Sequence, residues 1–226
     1  MRLVACVLCY VAGCVPPSQV PGATADPGSS GHASAPPSFA ALPALPHGAS
    51  GNTTRTHHGL LVARETLDAT MPTPPTDRSY LSLKSWIDGE FALWLERRRA
   101  QAEQTRARFE LEAAPNGSER AVSHAALGLI HEDTALSLGT IPAPRELDTE
   151  PEVAAMYREL VAVQVDTFLN TALSEFRDCA NEAYRADDDM RSWAEFCHAR
   201  FDRLRENVRA SRKQADSKRA TVATAQ

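Results

Sequence analysis

The feature that most constrains the fold is a long apolar stripe with helical spacing in the C-terminal half of the chain. Between positions 153 and 183 apolar residues recur every three or four positions, which places them on one face of an α-helix about nine turns long. Just before the stripe, residues 149–152 have the pattern of a capping box with proline in the first turn. The residues of the stripe are Val153, Tyr157, Leu160, Phe168, Ala172, Phe176, Cys179 and Ala183.

Three further segments show the same spacing, whereas the alternation of apolar and polar residues that marks strands is missing. One covers about 79–112, one begins at Ser118, and one follows the acidic triplet 187–189 and continues to about 212. Together they predict an all-α domain over 77–213, a small bundle of about four helices that ends in a long C-terminal helical hairpin. The polar residues that follow predict a disordered tail over 214–226.

The N-terminal third of the chain has a different composition. Residues 15–76 hold 11 of the 15 prolines but only one aromatic side chain, Phe39. Such a stretch buries too little apolar surface to offset the entropy cost of ordering its backbone. We therefore expect a disordered Pro/Gly/Ser-rich tether over 14–76.

Residues 1–14 have the layout of a secretory signal: one positive charge, an apolar run, and then small residues. The final four, Val11-Ala12-Gly13-Cys14, resemble the lipobox of bacterial lipoproteins. This resemblance implies a signal peptide over 1–13, cleavage before Cys14, and diacylglycerol on the Cys14 sulfur. Two or three acyl chains would anchor the protein stably to a membrane.

The same resemblance predicts where the protein is held. Val15 occupies the position at which an aspartate would favour the inner membrane, so the outer membrane of the bacterial cell envelope is favoured, with the domain in the periplasm. Two other interpretations of the N-terminus stay open: a secretory signal that is cut elsewhere, and a short hydrophobic start of a cytosolic protein.

A cysteine pair follows from the geometry of the predicted hairpin. Cys179 lies nine residues before the turn near Asp188, and Cys197 lies nine residues after it. Residues equidistant from the turn of an antiparallel hairpin face each other, so we predict a disulfide between them. Outside the cytoplasm such a bond persists, and closing a loop of this size stabilises the fold by about 3 kcal/mol. The alternative is two free, buried thiols in a reducing compartment.

Sequence motifs for metal binding, catalysis and nucleic-acid binding are missing. His124 and His131 are seven residues apart, about 10 Å along a helix, which is too far for one metal ion without other ligands. The Arg97–Arg99 run has acidic neighbours and is interpreted as a solvated face, with contact to an anionic lipid or polymer as the alternative. Cleavage before Cys14 would remove Arg2 and leave a net charge of 23 − 29 = −6, which argues against general nucleic-acid affinity. We predict no catalytic residue, cofactor or metal.

The predicted function is therefore that of a membrane-anchored envelope lipoprotein that presents a helical interaction or structural module. Its expected partners are the membrane, through lipid on Cys14, and an envelope protein that the sequence does not identify. The alternative is a ligand carrier or enzyme with a pocket inside the bundle. Gln164 is the one polar residue on the long stripe that fits such a pocket.

Overall fold

The computed structural model describes residues 42–43, 53–112, 117–186 and 188–224. Within these ranges there are helices and connecting segments but no β-strand, so the predicted all-α fold is confirmed. The α-helices are α1 (Thr53–Asp68), α2 (Tyr80–Trp86), α3 (Ala92–Glu112), α4 (Gly117–Gly139), α5 (Pro151–Arg185) and α6 (Arg191–Thr224). A π-helical segment (Ile87–Phe91) joins α2 to α3, and 3-10 turns (Arg145–Thr149 and Asp188–Met190) precede α5 and α6.

Helix α4 lies at the centre of the bundle. It packs most extensively on α5, and it also contacts α1, α3 and α6. A glycine allows the close approach to α5, because a Cβ at Gly128 would lie 2.8 Å from the ring of Phe176, which is fully buried. The main core cluster lies between α4, α5 and α6, where Trp193 is the largest fully buried side chain.

A second apolar cluster forms around the π-helical segment. The sequence predicts one helix over 79–112, and the structure has one continuous helical run with a widened turn in its first half. The cluster combines residues from both sides of that turn with Leu138 of α4, and Val165 and Phe168 of α5 pack against it. Its members from the helical run are Trp86, Ile87, Phe91, Trp94 and Leu95.

The prediction of a disordered tether over 14–76 is wrong near its C-terminal end, because residues 53–68 form α1. Ala63 and Thr66 of α1 are fully buried, and α1 contacts both α3 and α4. Leu42 also packs against the main core cluster. An isolated helix of this length is marginal in water, so α1 depends on docking to the bundle, which composition cannot show. Most of residues 14–52 lies outside the described residues, as do Cys14 and the signal peptide.

Two helix ends also differ from the prediction. Helix α6 continues to Thr224, so most of the tail predicted over 214–226 is helical; several alanine, lysine and arginine residues there favour helix. The predicted capping box does not form: the N-cap of α5 is Glu150, without a side-chain cap, and the Thr149 hydroxyl donates to the Glu146 carbonyl instead. Pro151 occupies the first turn, as predicted.

Candidate functional site

The predicted disulfide is present. The sulfur atoms of Cys179 and Cys197 are 2.00 Å apart, and their Cα atoms are 6.0 Å apart. Both residues are fully buried in the main core cluster. The bond ties α5 to α6 from inside the bundle, where thiol reagents have no access, so its role is structural.

A buried carboxylate on α4 holds α6 in place. Glu132 is only 2% exposed, and its oxygens accept hydrogen bonds from Arg200 at 3.1 Å and from Arg203 at 3.3 Å, both on α6. A buried charge is costly unless it is paired, so this arrangement fixes α4 and α6 relative to each other. The sequence gives no sign of it, because 68 positions separate Glu132 from Arg200.

A buried arginine on α3 holds α1 in place. Arg98 pairs with Asp133 of α4 and donates to the carbonyl oxygens of Thr66 at 2.7 Å and Ala69 at 3.1 Å. These carbonyls lie at the C-terminal end of α1, where a positive charge is favourable. The guanidinium also lies 5.0 Å from the ring of Trp94. The indole N–H of Trp94 donates to the same Ala69 carbonyl oxygen. Burial lowers the pKa of Arg98 to about 10, so the side chain remains charged at neutral pH.

The interpretation of the Arg97–Arg99 run as a solvated face is thus wrong for its middle residue. Arg97 and Arg99 are exposed, whereas Arg98 is 2% exposed. Successive residues of a helix point about 100° apart, so three consecutive arginines cannot share one face. The run therefore offers no continuous basic patch to an anionic surface.

The two histidines of α4 have separate environments. Nδ1 of His124 lies 2.7 Å from Oε2 of Glu175 on α5, and Arg106 of α3 donates to the other Glu175 oxygen at 3.0 Å. Burial raises the pKa of Glu175, but His124 and Arg106 together outweigh it and hold that pKa below its ordinary value. His131 lies against Phe168, with ring centroids 6.1 Å apart, and burial lowers the pKa of its imidazole.

These charged groups join neighbouring helices. Each of the carboxylates Glu132, Asp133 and Glu175 has a cationic partner on another helix. In the part of the chain that the structure describes, no group of three or more His, Cys, Asp or Glu side chains is placed to hold a metal ion. Gln164 is half-buried on α5.

The surface of α5 has one feature that the sequence did not predict. Met156, Leu160 and Val163 are 50%, 37% and 54% exposed and follow one another at spacings of four and three residues. The sequence placed Leu160 on the buried stripe, but the residues of this half of α5 that face the bundle include Ala154, Tyr157, Val165 and Phe168. We call Met156, Leu160 and Val163 the exposed stripe of α5.

None of the helices that the structure describes is long and apolar enough to cross a membrane. No protein-family model, no curated protein sequence and no solved structure matches this chain.

Proposed function

We propose that the protein is a lipid-anchored component of the bacterial cell envelope, which presents its helical bundle as an interaction module for a protein partner. The anchor is the acylated Cys14, and the outer membrane is its favoured location, with the bundle in the periplasm. The observation that carries the interaction part of the proposal is the exposed stripe of α5, an apolar helix face on a bundle whose buried charges Arg98, Glu132 and Glu175 are paired with charges of neighbouring helices.

Two features of the chain support the envelope location. Val11 to Cys14 has the lipobox pattern. The Cys179–Cys197 disulfide is a bond that persists in oxidising compartments and is rare in the cytosol. The two features are separate, because the first concerns a processing signal and the second concerns the folded domain.

The bundle suits an interaction role because its buried ion pairs join neighbouring helices and stabilise the fold. Glu132, Asp133 and Glu175 each neutralise an arginine of a neighbouring helix. A catalytic or ligand site needs polar groups that converge on a shared space and keep capacity for a substrate. An interaction module needs only a rigid surface with apolar positions, and α5 supplies one.

Mass spectrometry of the full chain tests the anchor. The protein is expressed in a Gram-negative host, extracted from membranes with detergent and digested. We expect an N-terminal peptide that begins at Cys14 and carries the mass of two or three acyl chains. In Cys14→Ser this mass is lost and the protein leaves the membrane fraction, whereas the matched control Cys9→Ser keeps both.

An unacylated protein that retains Met1 and fractionates with the cytosol would overturn the anchor. Acylated protein found only in the inner membrane would overturn the outer-membrane location and leave the anchor in place. Digestion without reductant reports on the disulfide in the same sample, because the peptides that contain Cys179 and Cys197 then migrate as one species.

A further inference from the structure

We infer that the exposed stripe of α5 docks an amphipathic helix of a partner protein, and that the apolar face of this partner helix is flanked by lysine or arginine. This inference rests on the proposed interaction function and specifies the chemistry of the partner. It concerns only the half of α5 that precedes the disulfide-linked part of the hairpin.

The spacing of the stripe identifies the shape of the partner. Met156, Leu160 and Val163 lie at i, i+4 and i+7, the spacing by which one helix packs along another. The partly buried Val153 precedes them at the same spacing. From Val153 to Val163 the helix rises about 15 Å, which matches roughly three turns of a partner helix.

The charges beside the stripe identify the flanks of the partner. Glu152 and Asp166 are fourteen residues, or two heptads, apart and lie along one edge of the stripe. The other edge has the uncharged, half-buried Gln164, and beyond it Tyr157 is buried against the bundle. In helix pairs, residues at these edge positions select partners by charge. One edge of the docking site is thus acidic, and it favours a helix with basic residues beside its apolar face.

The same charges argue against a second copy of this chain as the occupant. An antiparallel pair of α5 helices, packed stripe against stripe, sets the two acidic edges against each other, with Glu152 of one copy near Asp166 of the other. A parallel pair sets each acidic edge against the edge that holds Gln164, which supplies no positive charge. Like charges across a helix interface select against pairing, so a basic partner is preferred.

A pair of synthetic helical peptides tests the inference on the intact, purified protein. Both peptides have leucine at three successive stripe positions; one has lysine at the flanking positions and the other has glutamate. Binding is followed by fluorescence anisotropy at low and high salt. We expect the lysine peptide to bind at least about tenfold more tightly, with the difference shrinking as salt screens the charges.

Variants of the protein connect this binding to the stripe. Leu160→Glu is expected to reduce binding of the lysine peptide at least about tenfold, because it places a charge at the centre of the apolar contact. The matched control Tyr184→Glu changes another exposed apolar residue of α5, 66% exposed, and is expected to leave binding unchanged. Glu152→Lys combined with Asp166→Lys is expected to reverse the preference between the two peptides. Circular dichroism at 222 nm checks that each variant keeps its helices.

Four outcomes would overturn the inference. These are equal binding of both peptides, binding that Leu160→Glu leaves intact in a folded protein, a homodimer that Leu160→Glu dissociates, and capture of anionic lipid vesicles that depends on Leu160. The peptides need no lipid on Cys14, so this test is separate from that of the anchor. An acylated protein that fails to distinguish the peptides overturns only the docking inference, and an unacylated protein that distinguishes them overturns only the anchor.

Discussion

Replacing Arg98 by methionine tests whether a buried arginine holds α1 on the bundle. Methionine keeps much of the aliphatic volume but removes the charge and all donors. Asp133 then loses its buried cationic partner, and the Thr66 carbonyl loses its donor at 2.7 Å. The Ala69 carbonyl keeps only the hydrogen bond from the Trp94 indole. Removing one partner of a buried ion pair costs about 3–5 kcal/mol.

Thermal unfolding followed by circular dichroism measures the effect. For a helical domain of this size, a loss of about 3–4 kcal/mol lowers Tm by roughly 10 °C. The matched control is Arg97→Met, which changes the exposed neighbour and is expected to alter stability by less than about 0.5 kcal/mol. Combining Arg98→Met with Asp133→Leu is expected to recover part of the loss, because the uncompensated carboxylate is then gone as well.

Amide hydrogen exchange shows which helix loses stability in Arg98→Met. Because Arg98 contacts the C-terminal end of α1, the amides of 53–68 are expected to exchange faster in Arg98→Met, well before those of α4 and α5. Two results would refute the reasoning: a decrease in Tm no larger than that of Arg97→Met, or a large decrease with unchanged exchange in 53–68. The second result would mean that Arg98 stabilises the core but does not hold α1.

Three other substitutions test separate features of the bundle. Gly128→Ala is expected to destabilise by about 1–3 kcal/mol despite its better helix propensity, because the added methyl would meet the facing ring at 2.8 Å; Gly89→Ala, with open space around it, is the control in the same denaturant titration. The pKa of His131 is lowered from 6.5 by burial, so stability is expected to decrease as pH falls below 6.5, and His131→Phe is expected to flatten this part of the curve of Tm against pH. Replacing both Cys179 and Cys197 by alanine is expected to cost at least about 3 kcal/mol, and an unchanged Tm would contradict a stabilising bond.

The interpretation of the hairpin from sequence succeeded because it needed only local information. The acidic triplet and the stripes on either side of it located the turn near Asp188. Two arms of equal length then brought Cys179 and Cys197 together without any knowledge of other helices. Where the sequence pattern depended on a third helix, it was wrong: Leu160 matches the buried spacing of α5, yet it is 37% exposed.

The charged residues also differ from the prediction where their environment depends on another helix. The interpretation of Arg98 from its neighbours in sequence failed because a run of charges resembles a solvated face. Its partners, Asp133 and the carbonyl of Thr66, are more than 30 positions away in opposite directions along the chain. Likewise, the pairing of Glu132 with Arg200 has no local signature, because an ion pair between helices depends on how the helices pack.

The sequence by itself determined the all-α class, the order of the helices from α2 to α6 and the disulfide, since periodicity and turn position are properties of a single segment. Only the tertiary structure decided that α1 is an ordered helix, that Arg98 is buried and that one face of α5 stays exposed. The physical reason is that burial is shared between segments. A helix face becomes core or surface only when another helix covers it or leaves it open.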